Sequence, residues 1–307
     1  MDKKILRGLL TNEYEHPFDR NALNILEGTP GLETIVKKLM EFGIERLIKI
    51  QYTGSNIKVT PSNFKDLYKI YHNVAETLDL YYLPELYITW GYEINASAIG
   101  AEKPIVVLNS GCLDLLEEDE LRFIIGHELG HIKSQHMLYH TIAQYINVIT
   151  SLIGNATLGM GQILSYGIQI ALLQWQRMSE YTCDRAGLLS CQSTSSSNSV
   201  MVKMSGTPLK FYNQISIEEF IKQANEFEEL DYNAYNKIVK LLSTMDNTHP
   251  WTVLRSAEVN RWVMTGKYEE LLDKSRIICV DKPDSIYCGN KLKESDIFCT
   301  KCGSKAC

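Results

Sequence analysis

GHELGHIKSQH, residues 126–136, sets His127 and His131 four residues apart. On a helix of 3.6 residues per turn those two positions lie on nearly the same face. Two imidazoles so placed can hold one metal ion, and Glu128 falls on the flank, where a carboxylate reaches a water rather than the ion. Two histidines do not complete a metal site; a third ligand is needed. That need constrains the fold more than any other feature. A later element must pack against this helix and bring a ligand to the right level.

The longer variety of this motif has a glycine three residues after the second histidine and a third histidine six after it. Ser134 and Met137 occupy those places here, so the ligand must come from elsewhere. WQRMSEYTCDRAG, residues 175–187, offers Glu180 and Asp184, again four apart and on one helix face. A metal site wants a third ligand and a carboxylate to orient an imidazole. Glu180 suits the first task. Asp184 suits the second, with His127 the preferred partner. The competing reading pairs both acids with Arg177 or Arg185 on a solvated face. His136 and His140 fall on the far side of the same helical wheel, so core-edge or surface positions are expected for them. Cys183 lies three residues after Glu180 and is expected as a small buried residue, although cysteine can bind zinc.

At this point the sequence resembles the zinc peptidases that include HtpX, the CAAX prenyl endopeptidases and the Oma-type proteases. GHELGHI and RMSEYTCDRAG carry the likeness. INASAIGAEKPIVVLNSGCLDLL is similar to the family's edge-strand region and NTHPWTVLR to its His-Pro segment, so the resemblance spans roughly residues 65–265. It implies an α+β fold: a mostly helical zincin metallopeptidase domain with a small antiparallel sheet. It implies one catalytic Zn2+ on His127, His131 and Glu180, with Glu128 as general base and acid and Asp184 behind a ligand. It implies that a polypeptide substrate adds as an extended strand along Asn95, Ala96, Ser97 and Ala98. His249 is a candidate for stabilising the oxyanion, for occupying the open metal position at rest, or for a plain turn; Arg255 is an alternative for the first task.

The rest of the chain fits around this. GLETIVKKLMEFGIERLIKI has helical spacing, and a short extended NIKVT stops at Pro61 before a helix from about Ser62 to Leu78. ELYITW, INASAIG and PIVVLNS read as strands separated by turn residues. LDLLEEDELRFIIGHELGHIKSQHMLYH reads as a long helical stretch with an acidic opening turn. Residues 141–176 carry no charge. They read as two buried or surface-lying helices in preference to a membrane-dipping hairpin, each half being short of the ~20 residues a span needs. QSTSSSNS, 192–199, reads as a loop, and Ser216 with Glu219 as a capping box. The domain expectation is a helical region at 1–64, a metallopeptidase domain at 65–275 and a small tail at 276–307.

The tail, with YCGNKLKESDIFCTKCG, is similar to a zinc ribbon: Cys299 and Cys302 form one knuckle, Cys288 half of another, and Cys279 or Cys307 is left to complete a second, structural zinc site. The net charge of −6 gives no electrostatic case for nucleic-acid binding. The apolar run in MDKKILRGLL is too short for a signal peptide. A cytoplasmic chain is expected, with peripheral membrane association through residues 141–174 as the less favoured alternative. The function expected is metal-dependent hydrolysis of peptide bonds in proteins. Its rivals are a non-catalytic, zinc-stabilised scaffold and the same peptidase working at a membrane surface.

Overall fold

The computed structural model describes residues 3–41, 43–156, 160–229 and 250–274. Its first four helices are α1 (Thr11–Tyr14), α2 (Pro17–Glu27), α3 (Leu32–Glu41) and α4 (Ile44–Ser55). Strand β1 (Ile57–Lys58), helix α5 (Lys65–Thr77) and strands β2 (Glu85–Thr89), β3 (Ala96–Ile99) and β4 (Ile105–Asn109) follow. Then come α6 (Ser110–Leu115), α7 (Glu118–Lys133), α8 (Met137–Ala156) and α9 (Met160–Cys191). The remaining described α-helices are α10 (Thr194–Met204), α11 (Ile217–Glu229), α12 (Thr252–Met264) and α13 (Lys267–Asp273).

The sheet is mixed rather than antiparallel, which corrects the sequence expectation. Its order is β1-β2-β4-β3, and β2 runs parallel to β4, with Glu85 opposite Ile105 and Thr89 opposite Asn109. Burial explains the order. Ile105 to Leu108 are buried along the whole run, as an interior strand requires. Ala96, Ser97 and Ala98 are only half-buried and take the edge. The chain therefore passes over one place after β2, lays down β3, and turns back through Gly100, at a φ of 107° that favours glycine, into β4.

Alternation along the strands builds two cores. Leu86, Ile88, Val106 and Leu108 face one that also holds α5, α7 and α10–α13. Tyr87, Ile105 and Val107 face the other, which holds α2–α4, α8 and the first half of α9. Helix α2 lies along α9, and α3 packs on α8.

The packing of α7 on α9 is the centre of the molecule. Small residues make it close. A Cβ on Gly130 would lie 2.7 Å from the Ala186 Cβ, and one on Gly187 would lie 2.9 Å from the Phe123 carbonyl oxygen. A Cβ on Gly126 would run into the Ser190 side chain. The glycines of GHELGH and the Ala-Gly pair of CDRAG are therefore spacers that let two helix backbones approach.

Three local expectations change. The long helical stretch breaks after Lys133, where Gln135 adopts a left-handed φ of 60° and α8 begins at Met137. Residues 192–199 are mostly helix, not loop. Ser193 caps α10 by accepting from the Ser196 N–H at 3.1 Å, and Ser197 to Ser199 are buried, with Asn198 Oδ1 accepting from Ser256 Oγ at 2.8 Å and Ser199 Oγ donating to Glu120. Tertiary burial here outweighs the turn-forming bias of serine and asparagine. The described residues of the charge-free segment lie in α8 and the first half of α9; Ile142, Ile146, Ile168, Leu172 and Trp175 are buried in the core shared with α2–α4. Among the described residues no helix is long and apolar enough to cross a membrane. Ser216 caps α11 as expected, accepting from the Glu219 N–H at 3.2 Å.

Candidate active site

Helix α7 opens with Glu118, Asp119 and Glu120, which complement its dipole; the Glu117 N–H donates to Glu120 Oε2 at 2.7 Å. Lys203 neutralises Glu120 at 2.6 Å. The helix is thus anchored at its start, and two turns later it presents His127, Glu128 and His131, all buried. Helix α9 faces them with Glu180, Cys183 and Asp184, also buried.

His127 Nε2 lies 3.3 Å from His131 Nε2 and 3.3 Å from Glu180 Oε2, and His131 Nε2 lies 3.3 Å from Glu180 Oε1. Four-coordinate zinc with ligand bonds of about 2.0–2.1 Å sets neighbouring donor atoms about 3.3–3.4 Å apart. The donor set therefore fits a zinc ion in spacing and in chemistry: two imidazoles and a carboxylate, with room in the coordination shell for a water.

The remaining ring nitrogens are engaged. His127 Nδ1 pairs with Asp184 Oδ1 at 3.0 Å. Asp184 is in turn gripped by Arg255, from Nε to Oδ2 at 2.9 Å and from Nη2 to Oδ1 at 2.6 Å. Arg255 Nη2 is also 3.4 Å from His127 Nδ1. Burial raises the Asp184 carboxyl, yet the guanidinium and His127 outweigh it and hold the group below its ordinary value.

His131 Nδ1 lies 3.2 Å from His136 Nδ1, and His136 Nε2 lies 3.2 Å from Asp19 Oδ2. Asp19 also accepts from Trp175 Nε1 at 3.1 Å and from Thr182 Oγ1 at 2.6 Å. Burial works against ionisation of Asp19, but His136 and Thr182 keep its carboxyl below the ordinary value. Cys183 Sγ is 3.6 Å from His136 Nδ1, and burial pushes its thiol well up, so it stays protonated.

The two candidate ligand histidines differ in charge when no ion is bound. Burial lowers both. For His127 the charge and bond of Glu180 and the bond to Asp184 reverse this and carry it to about 10. For His131 burial prevails over Glu180, with His127 and His136 adding to the fall, to about 4. The pair shares one proton, and His127 holds it.

The structure brings together His127, Glu128, His131, Glu180 and Asp184, which the sequence singles out. Arg177 donates to Gln174 and Arg185 to the carbonyls of Tyr14 and Glu15, while Glu180 lies against His127 and His131 and Asp184 against His127. Arg255 stands behind Asp184, 3.6 Å from Glu180 Oε2, holding the carboxylates rather than standing over an open face. His136 is buried beside His131, not on the far side; the wheel fails because the helix it assumes ends at Lys133. His140 also packs on the His131 ring, at 4.6 Å between centroids, and pairs with Ser179 Oγ at 3.2 Å. Ala96, Ser97 and Ala98 lie on the edge strand, which packs against α7. His249 lies outside the described residues, and so do Cys279, Cys288, Cys299, Cys302 and Cys307 of the tail.

Sequence reasoning misses Asp19, His136 and the glycine spacers. Asp19 carries no motif and is far from the others in sequence. The pair Gly126 and Gly130, four apart on the histidine helix, is the signal that the close approach left in the sequence.

A buried group of two histidines and a glutamate that could hold a metal ion, with a second glutamate next to the first histidine, is the arrangement that a metallopeptidase needs. Comparison with known proteins agrees. The profile of Peptidase family M48 matches residues 61–263, about two thirds of the chain, and the chain belongs to that family. It is a metalloprotease. The chain is 29% identical over 274 residues to the plastoglobule-localized metallopeptidase 48, chloroplastic, of Arabidopsis thaliana, a match covering 88% of this chain and 78% of that one. It is 24% identical over 242 residues to a protease HtpX homolog of Campylobacter curvus, covering 72% and 82% of the two chains. It is 34% identical over 91 residues to a protease HtpX homolog of Thermodesulfovibrio yellowstonii, covering 29% and 32%. No solved structure matches.

Proposed function

We propose that this metalloprotease is a zinc-dependent endopeptidase that cleaves extended segments of protein chains. The set of three 3.3 Å separations among His127 Nε2, His131 Nε2 and the Glu180 carboxylate carries the reading. His127, His131 and Glu180 would hold the zinc ion, which would supply a water acidified towards a pKa of ~7. Glu128 takes the proton of the attacking water on its carboxylate and returns it to the leaving amine nitrogen. Asp184 fixes the His127 ring with its proton on Nδ1, and Arg255 fixes Asp184. The intact Glu128 favours this over a scaffold, which needs no general base.

The substrate strand follows from the ladder. The Asn109 N–H donates to the Asn95 carbonyl at 2.9 Å. Bonded and non-bonded pairs alternate in an antiparallel ladder. Ser97, opposite Val107, is then bonded inward, while Ala96 and Ala98 turn their N–H and C=O groups to the open edge. A peptide added there makes main-chain bonds that any sequence can supply. Extended, unfolded chains suit such an edge, which favours a part in protein quality control.

A chelator should abolish cleavage of an unfolded protein such as casein, and zinc should restore it. Cleavage that persists in full without metal refutes the reading. The tail adds a proposal of its own: Cys299 and Cys302, with Cys288 and Cys279 or Cys307, hold a structural zinc, so metal content near two per chain is expected. A second reading places the enzyme at a lipid surface, motivated by the plastoglobule-localized relative and the charge-free 141–176 segment. Absence of binding to lipid vesicles argues against it.

A further inference from the structure

We propose that His136 and Asp19 are positioning residues that fix the ring and tautomer of His131, as Asp184 does for His127. The inference rests on the reading of His131 as a zinc ligand. A neutral imidazole that ligates through Nε2 must carry its proton on Nδ1. The only described ring nitrogen within hydrogen-bond reach of that proton is His136 Nδ1, at 3.2 Å. His136 Nδ1 must then be the acceptor, which puts the His136 proton on Nε2. Nε2 lies 3.2 Å from Asp19 Oδ2. The proton positions close without conflict: His131 Nδ1–H to His136, His136 Nε2–H to Asp19.

The far end is equally determined. The Trp175 indole N–H can only donate, and it donates to Asp19 Oδ1 at 3.1 Å. The Thr182 hydroxyl receives the His16 N–H at 3.0 Å and donates to Asp19 Oδ2. All these groups are buried. Cys183 Sγ is near, but this cluster is not a second metal centre: Nδ1 of His131 keeps its proton while Nε2 ligates, leaving no lone pair there. Each ligand histidine thus ends on a buried carboxylate, one directly and one through a second imidazole. Helix α2 is thereby tied to the metal helix through a chain of polar contacts.

Asp19→Asn tests this with almost no change in shape. Trp175 forces the Asn oxygen to the Oδ1 place, so the amide NH2 faces His136. His136 must then accept on Nε2 and carry its proton on Nδ1, where it meets the His131 Nδ1–H. Zinc binding at the His131-dependent site, defined as the binding that His131→Gln removes, should weaken about ten- to a hundredfold. His136→Leu should weaken it as much. His136→Gln, whose amide can accept from His131 and donate to Asp19, should recover most of the loss. Long-range 15N–1H spectra of the zinc-loaded wild type should show the protons on His131 Nδ1 and His136 Nε2. Unchanged affinity in folded Asp19→Asn overturns the inference, as does a spectrum with the proton on His136 Nδ1. If instead His131→Gln binds zinc like the wild type, it is the ligand assignment that fails.

Discussion

Gly130→Ala separates site geometry from stability. The new Cβ would lie 2.7 Å from the Ala186 Cβ and 3.4 Å from the Cys183 Cα. Carbon atoms pack at about 3.5–4.0 Å, so α7 and α9 must part by roughly 1 Å at this level. Metal–ligand bonds tolerate shifts of only about 0.2 Å. Gly130 directly precedes His131 in α7, and Ala186 lies less than two turns beyond Glu180 in α9. The parting therefore falls on the ligand set. Overpacking costs about 1–3 kcal/mol, and alanine returns about 1 kcal/mol of helix propensity over glycine. Net stability should fall by at most about 2 kcal/mol in urea unfolding of the metal-free protein. Zinc affinity should nevertheless drop at least tenfold, by comparison with the loss of a mere outer partner, and cleavage about a hundredfold. Ala186→Gly in the same chain removes the opposing methyl and should restore both. Wild-type zinc affinity in the single variant, or no rescue in the double, refutes the spacer argument.

Ala98→Pro removes an N–H that faces the open edge and leaves the bonds to β4 intact. It should raise KM or abolish cleavage of unfolded protein while Tm moves little, and unaltered steady-state kinetics would exclude β3 as the substrate strand. Arg255→Ala leaves the buried Asp184 without its cation and should cost about 3–5 kcal/mol of stability in urea unfolding; a cost under 1 kcal/mol means the pair is not formed. In the metal-free protein His127 titrates near 10, above its ordinary 6.5, and His131 near 4. His127 therefore adds stability that is complete below pH 6.5 and is lost as pH rises through about 10. Between those pH limits zinc must displace its proton, so calorimetry in buffers of different ionisation heat should find about one proton released per site, with affinity rising with pH. No proton release contradicts the assigned charge state.

The juxtaposition of His127, His131, Glu180 and Asp184 was legible because helical spacing of four residues is a short-range code, repeated at His127–His131 and Glu180–Asp184. Helix–helix contact then converts two local signals into one site. The sheet was less legible. Composition marks Glu85–Thr89, Ala96–Ile99 and Ile105–Asn109 as strands, but their order depends on which run can be buried on both faces, a property of the whole assembly. His136 was misplaced for a different reason. A single left-handed residue, Gln135, redirects everything after it, and glutamine gives no warning of that conformation. Asp19 could not be found at all, since its role exists only when α2 lies on α9.

The most direct test is paired: zinc content and cleavage of an unfolded protein for the wild type and for Glu128→Gln. Glu128 is buried beside His127 and stands outside the His127, His131 and Glu180 group that could hold a metal ion. The account predicts equal zinc in both proteins and cleavage in the wild type alone. Cleavage by Glu128→Gln at the wild-type rate would contradict it.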